Sequence, residues 1–468
     1  MEYQHGPRVG THAATILFFL TFFFLPHFGY GEVENPQSHR ADPVVPGQFI
    51  VVLNGGFDPA QVAFDHAAVP LHLYRVASRG FAARLSNAQA NALRSDPRVN
   101  NVVADRKVTT AAKPGTGGGG GTVEVVPTGI KRIDAEGVAA TDEIEQTIVA
   151  IIDTGIDLDH PDLNVSSTCG FSAYNGTPDD GNGHGTHVAG TVGAIANTSG
   201  VRGVAPGVEL CPVKVLDNSG SGTWSSIITG IDYVTDRRRE FNDGSSDGDA
   251  GINIKVANMS LGGCANVAFI WCVAEPPPGN NSCGVVNGIV QDPLHQAICN
   301  STAAGVVYSV AAGNDGEDAL YFVPAAYPEV ITVSAIADYN GKGGGGAKAP
   351  RGCNYGPDDS LASFSNHGAT VAIAAPGACI LSTYKGGGTK TLSGTSMATP
   401  HVTGAISLAS FEVNVDVGDK DNPRNAAMFA LLQKSQGSYC GFSGDPDASE
   451  EPVVYVGQPD TDCGLIAP

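Results

Sequence analysis

Five near-continuous apolar runs, TIVAIID, GVELCPVKVLD, INIKVANMSLG, GVVYSVAAGN and EVITVSAI, recur between residues 147 and 336, with helical patterns between them. Taken together they read as near-continuous rather than alternating, which predicts strands buried on both faces. Such strands imply a mostly parallel sheet with helices packed on each side. Ligands of such sheets sit at the carboxyl ends of the strands. Asp153, Ser260 and Asn314 stand where three of these runs end.

The pattern differs upstream. Across residues 46–110, PGQFIVVLNGG, FDPAQVAFDHA, LHLYRVASRGFAARLS and SNAQANALRSDPRVNNVVADRKV alternate strand-like and helical stretches, which predicts a small α+β domain. Ser86 is placed to cap a helix whose apolar face is Ala88, Ala90 and Leu93. KPGTGGGGGT (113–122) then interrupts the pattern. Consecutive glycines hold no packed element, so a flexible joint at or just after a processing point is expected over 111–122. Near the start, the apolar run Ala13–Leu25 follows Arg8 and precedes small residues at Gly29 and Gly31. This run is short for a bilayer span and reads as a secretory signal over 1–31. The product is then expected to be extracellular, free of the membrane after signal cleavage, and monomeric.

Charge removes one class of partner. The 468 residues hold 26 Lys+Arg against 47 Asp+Glu, a formal net charge of -21, whereas nucleic-acid binding needs a concentrated positive surface. All ten cysteines lie at or beyond residue 169, and no CxxC pair occurs. An even count confined to that region reads as disulfides in an oxidising compartment rather than metal ligands. Connectivity does not follow from spacing; the pairs expected are Cys169–Cys211, Cys283–Cys299 and Cys440–Cys463.

Three short segments carry the chemistry. IIDTGID supplies Asp153, DGNGHGTHVAGT supplies His184, and SGTSMATPHVTG supplies Ser396, in the chain order Asp, His, Ser. A serine at a helix start lies near unpaired N–H groups and the positive end of the helix dipole, which suits a developing oxyanion. It also suits a plain N-cap. His184, in a glycine-rich turn, is placed as a general base, and His187, three residues on, as a core histidine. A zinc pair lacks a third ligand nearby. Asp153 closes a buried strand, where a carboxylate needs a partner; the imidazole of His184 is one, and a calcium or cap role is the alternative. Asn314 carries an amide N–H₂ able to complete an oxyanion hole, though a Gly-Asn turn explains the same string.

On these motifs residues 123–440 resemble the subtilisin-like serine proteases, close to the proteinase K branch. GFAARLS and DPRVNNVVAD make the 46–110 segment resemble their inhibitory propeptide. The resemblance implies a three-layer α/β domain behind the small α+β propeptide domain, with a tail over 441–468. It implies a secreted serine endopeptidase made as a self-processed zymogen and cut near Thr110–Pro114. Protein or peptide substrates and the chain's own propeptide, as intramolecular inhibitor, would be its partners. Asp153 would orient His184, His184 would serve as base and then acid, Ser396 would attack, and Asn314 would complete the oxyanion hole.

The same resemblance implies two substrate edges. Ser260, Leu261 and Gly262 would pair with an extended peptide. Gly220, Ser221, Gly222 and Trp224 would form the opposite wall. Phe322 would lie at the floor of the primary pocket, favouring apolar or aromatic side chains. A structural Ca²⁺ would be held by Glu124, Asp162, Ile195, Asn197, Ser199 and Val201, with oxygen-only ligation. No catalytic metal is expected. RRREFNDGSSDGDAG (237–251) and the cysteine-containing stretch 264–283 depart from the family as loop insertions. HGTH argues against the acid-acting relatives that replace histidine with glutamate, GTSMA lacks the elbow of lipases, and the unbroken triad argues against a silent binding protein.

Overall fold

The structure, a computed structural model, describes residues 44–113, 123–138, 147–244, 251–265, 267–268, 271–272, 276–409, 422–435, 441–447 and 451–457. The expected signal segment and the pair Cys440–Cys463 lie outside these residues. In the first part, strands β1 (Val44–Leu53), β2 (Pro70–Tyr74), β3 (Gly80–Arg84) and β4 (Val99–Thr110) form an antiparallel sheet in the order β4-β1-β3-β2. Helices α1 (Pro59–Asp65) and α2 (Asn87–Arg94) complete the unit. Ser86 caps α2 with a full capping box, its hydroxyl accepting from Gln89 N while the Gln89 side chain accepts from Ser86 N. Ala90 and Leu93 are buried as expected, but Ala88 is exposed, because it lies in the first turn on the outer side.

The run IVVL of β1 is buried throughout because both faces of this sheet are covered. Val51, Leu53, Phe81 and Ala83 pack with Val62, Ala63, Ala90 and Leu93. Ile50, Val52, Tyr74 and Ala82 face the other way, into the core of the larger domain. The two-residue period of a strand divides the apolar set between two partners.

The larger domain is built on an eight-stranded sheet. In chain order its strands are β5 (Ile148–Asp153), β6 (Phe171–Ser172), β7 (Glu209–Lys214), β9 (Ile254–Met259), β11 (Val307–Ala311), β13 (Ile331–Ala337), β14 (Ser360–Leu361) and β15 (Val371–Pro376). All pairings are parallel except β13 with β14. Each of the five apolar runs became one of these strands. Helix α3 (His184–Gly193) and helix α6 (Thr395–Leu408) cover one face; α4 (Trp224–Asn242) and α5 (Pro293–Thr302) cover the other. Helix α7 (Asn422–Ser435) follows. Residues 237–242 belong to α4 and are not an inserted loop. Thr223 caps that helix, and Arg238 is buried along it, so the helical register continues past the charged run.

The tail packs onto the domain: Val453 bridges Ala374, and the buried Glu451 accepts from the Ser334 hydroxyl at 2.6 Å. Disulfides join Cys169–Cys211 and Cys283–Cys299 as expected, and Cys353–Cys379, which was not foreseen; Cys264 is disulfide-bonded too.

The small domain docks through carboxylates at helix and loop N–H groups. Asp105, wholly buried, accepts from Ser225 N at 3.1 Å at the start of α4 and from Gln48 Nε2 at 2.7 Å. In return Asp232 on α4 accepts from the backbone N–H groups of Arg75, Val76, Ala77 and Ser78. Leu93→Ala, in a Ser396→Ala background that prevents self-digestion, should destabilise the small domain by about 2–4 kcal/mol. A denaturant titration followed at the small domain should show an earlier midpoint, and an unchanged midpoint would refute the packing described.

Candidate active site

β5 ends at Asp153, and its carboxylate is fully buried. Oδ1 accepts from His184 Nδ1 at 2.7 Å and from Thr154 N at 2.7 Å. His184 is the first residue of α3, behind Gly183 at φ 105, and is 3% exposed. It therefore sits on the helix itself and not in the flexible turn expected. The turn before it is held by Asp180, which accepts from Asn182 N, Gly183 N, Thr186 N and the hydroxyls of Thr154 and Thr186. Sequence reasoning missed Asp180; its signal was a second acidic residue just before the glycine turn. His187 packs inside α3, with Nε2 facing the carbonyls of Ile380 and Lys390.

Ser396 is the second residue of α6. The capping position belongs to Gly394, at φ 149 and with no side-chain cap bond, so the hydroxyl of Ser396 is not spent on capping. That hydroxyl donates to Ser260 O at 3.0 Å, and the Ser260 hydroxyl donates to Ser396 O at 2.9 Å. Pro400 explains the second bond. Four residues past Ser396 it has no N–H to give that carbonyl, and Ser260 satisfies it instead. His184 Nε2 and Asp153 Oδ2 have no partner among the described residues.

Asn314 lies just beyond β11. Its Oδ1 accepts from Thr395 N at 2.9 Å and from the Thr395 hydroxyl at 3.1 Å, which turns Nδ2 outward. There Nδ2 donates to Ala111 O at 2.5 Å, and Ser396 N donates to the same oxygen at 3.3 Å. Two donors thus converge on one carbonyl of the chain itself.

That carbonyl is delivered by β4. The strand leaves its own sheet and enters between β8 (Ser221–Thr223) and β10 (Leu261–Cys264), antiparallel to both. Val108 registers with Gly222, Thr109 with Ser221 and Gly262, and Thr110 with Leu261. Thr110 N donates to Gly220 O at 3.0 Å, Ala111 N to Ser260 O at 3.4 Å and Lys113 N to Ser393 O at 2.7 Å. Gly394 is forced by this approach, since a Cβ there would lie 2.4 Å from Ala111 O. The structure therefore brings together Asp153 with His184, and Ser396 with Asn314 and Ser260. It places Ser260, Leu261 and Gly262 on one edge of residues 107–111 and Gly220, Ser221 and Gly222 on the other. Trp224 starts α4 at 1% exposure, and Phe322 opens β12 (Phe322–Val323), opposite Cys264 in β10, at 6% exposure.

The Subtilase family profile matches residues 145–414, and the Peptidase inhibitor I9 profile matches residues 49–111. The chain belongs to the subtilase family. It is 38% identical over 289 residues to Subtilisin DY of Bacillus licheniformis, a match spanning 61% of this chain and 84% of that protein. The cuticle-degrading protease of Metarhizium anisopliae matches at 35% over 382 residues, 79% of this chain and 81% of that protein. The alkaline protease of Alkalihalobacillus alcalophilus matches at 36% over 325 residues, 69% and 67%. This subtilase is a serine-type endopeptidase carrying an I9 propeptide, and the small α+β domain is that propeptide.

The expected calcium residues also meet in this subtilase. Asp162, 5% exposed, accepts from Asn197 Nδ2 at 2.8 Å and from Val201 N at 2.8 Å. Glu124 Oε1 accepts from Asn197 N at 2.6 Å. Burial, with the Glu124 charge beside it, pushes the Asp162 carboxyl above its ordinary range. Two carboxylates and an amide in an oxygen-only loop are a donor set that fits Ca²⁺. Among the described residues the one Cys/Glu grouping, Cys283, Cys299 and Glu329, has its sulfurs tied in a disulfide.

Burial pushes the His187 imidazole down to about 3 and the His401 imidazole down to about 4. Both stay neutral in the folded state while the unfolded chain takes up protons near pH 6.5, so their contribution to stability is lost as pH falls from 6.5 toward 3. Asp338 and Glu451, raised by burial to about 6 and about 7, act in the opposite sense, their contribution being lost as pH rises. The test is therefore differential. The melting temperature of Ser396→Ala,His187→Gln should fall less between pH 6.5 and pH 4 than that of Ser396→Ala. Parallel curves would show that His187 takes up its proton equally in the folded and unfolded chain, and would refute the shift.

Proposed function

We propose that this subtilase is a secreted endopeptidase that hydrolyses peptide bonds through Ser396, His184 and Asp153, and that the first bond it cuts is its own Ala111–Ala112. The observation that carries this reading is the Ala111 carbonyl, held by Asn314 Nδ2 and Ser396 N at the end of a strand paired on both edges. Such donors stabilise the oxyanion that forms when a nucleophile adds to the carbonyl carbon. For attack the Ser396 hydroxyl must leave Ser260 O and give its proton to His184 Nε2, the imidazole nitrogen that has no other partner among the described residues. Oγ adds to the Ala111 carbon as its proton passes to Nε2. The imidazolium then gives that proton to the Ala112 nitrogen as the C–N bond breaks, leaving an acyl-enzyme that water hydrolyses. Asp153 holds the tautomer and carries the opposing charge. Maturation at this bond frees the segment from Ala112 onward, just ahead of the glycine-rich joint.

The primary pocket favours apolar side chains, with Ala111 the chain's own example and Phe322 at its floor. Secretion is supported by the apolar run Ala13–Leu25, by disulfides such as Cys169–Cys211, Cys283–Cys299 and Cys353–Cys379, and by a 35% identical relative named Extracellular serine proteinase, from Thermus sp.. Among the described residues no helix is long and apolar enough to cross a membrane. Side chains of Glu124, Asp162 and Asn197, with the carbonyls of Ile195, Ser199 and Val201, would hold a structural Ca²⁺, whose charge would offset the buried carboxylates and rigidify the loop.

Ser396→Ala expressed from the whole precursor should accumulate uncut, while the active chain should yield a mature amino terminus at Ala112. Amino-terminal sequencing checks both, and normal maturation of the variant would sink the proposal. Asn314→Ala should lower kcat by about 100- to 1000-fold with little change in KM. EDTA should lower the melting temperature before it lowers activity on a short peptide; an unchanged melting temperature would remove the calcium reading.

A further inference from the structure

Counting back from the bond Ala111–Ala112, β4 presents Thr110, Thr109, Val108, Lys107 and Arg106 to the cleft. Successive strand side chains alternate. Lys107 and Thr109 are exposed, whereas Val108 is 1% exposed and packs into the core that contains Trp224. Arg106 lies on the Val108 side. Its guanidinium sits over the Trp224 indole, 4.7 Å from the ring centroid, and its Nη1 donates to the carbonyl of Ala265. Behind it stands Asp292, wholly buried and attracting the guanidinium.

Resting on the proposed cut at Ala111–Ala112, we infer that the mature cleft extends to the sixth residue before the scissile bond and takes a basic side chain there, arginine above lysine, against the face of Trp224. Val44 of β1 is opposite the Arg106 backbone, but every group that receives its side chain, namely Trp224, Ala265 and Asp292, belongs to the catalytic domain and stays when the propeptide leaves. Trp224 is the first residue of α4, and Ala265 follows β10. Asp292 caps α5, fixed by Leu294 N, His295 N and the Tyr327 hydroxyl. The receptor is thus preorganised on the ends of rigid elements. Burial lowers the Arg106 guanidinium from its usual value, and the nearby Asp292 and Tyr327 oppose that shift. Arginine titrates so high that it stays charged here, and its flat fork can stack on indole while donating to a carbonyl. A lysine ammonium at the same place keeps the charge but loses the stacking.

The propeptide does not need Arg106 in order to dock, since Asp105 at Ser225 N and Asp232 at residues 75–78 already bind it. The subsite can therefore be read separately, on peptides. The mature enzyme would be given internally quenched peptides of sequence ADRKVTTAAKPG (residues 104–115), with Arg, Lys, Gln or Glu at the place of Arg106. kcat/KM should fall in that order, with Arg over Gln by about three- to tenfold. The Arg-over-Gln ratio should persist in 0.5 M salt, as a test condition, and shrink in Trp224→Leu measured against the same four peptides. Equal rates for all four, cut at the Ala-Ala bond, would overturn the subsite and leave the proposed function intact. A preference that vanishes in salt would also overturn it, because general attraction by an acidic protein would explain it. Failure to cut any of them, together with no labelling of Ser396 by a fluorophosphonate, would instead overturn the proposed function.

Discussion

Between β8 and β10 residues 107–111 complete a ladder of backbone hydrogen bonds that neither edge completes alone, and the rest of the precursor is arranged around that insertion. Backbone pairing fixes the register without reading side chains, so the same two edges can take any extended chain. Register in turn places one carbonyl, that of Ala111, against Ser396 N and Asn314 Nδ2. On the function proposed above, the precursor's own strand fills the channel that substrates would use. Inhibition and substrate recognition would then share one geometry.

The side chains at that carbonyl are held by neighbours that do no bond-breaking themselves. Thr395 fixes the Asn314 amide, Asp180 ties the turn ahead of His184, and the Ser260 hydroxyl takes up the carbonyl that Pro400 leaves without a helical partner. Each of these groups is buried or partly buried, and each buried polar atom left unpaired there would carry a desolvation cost of about 1–3 kcal/mol. The network therefore locks rotamers as well as satisfying donors. Ser396 and His184 are the exceptions. The hydroxyl is bonded elsewhere, and Nε2 lacks a partner among the described residues.

Propeptide docking uses the physics that elsewhere caps helices. Asp105 answers the positive end of α4, and four backbone N–H groups of the propeptide loop answer Asp232. Apolar contact supplies the rest, because β1 and β3 turn Ile50, Val52 and Ala82 toward the catalytic core. A sheet apolar on both faces is what a domain shows when its second face is covered by a partner rather than by water.

Much of this was legible in the chain as letters. Apolar runs without alternation gave the parallel sheet, since only burial on both faces tolerates them, and the three motifs named Asp153, His184 and Ser396 because their spacing to strand ends and helix starts is local. The capping box at Ser86 was legible for the same reason. What the letters did not carry was set by contacts across long separations. Asp180 stood out only as an acid before the glycine turn, because the donors it ties come together only in the fold, residues 237–242 read as a loop until Thr223 and buried Arg238 showed the helix continuing, and Cys353 was not matched to Cys379. Nor did sequence show which carbonyl of the linker region meets the two donors, or that Trp224 faces Arg106. Pattern determines which residues must be buried and which backbone form they take, because those preferences act over a few residues. Register, pairing and partner choice depend on the meeting of distant segments, and only the folded chain decides them.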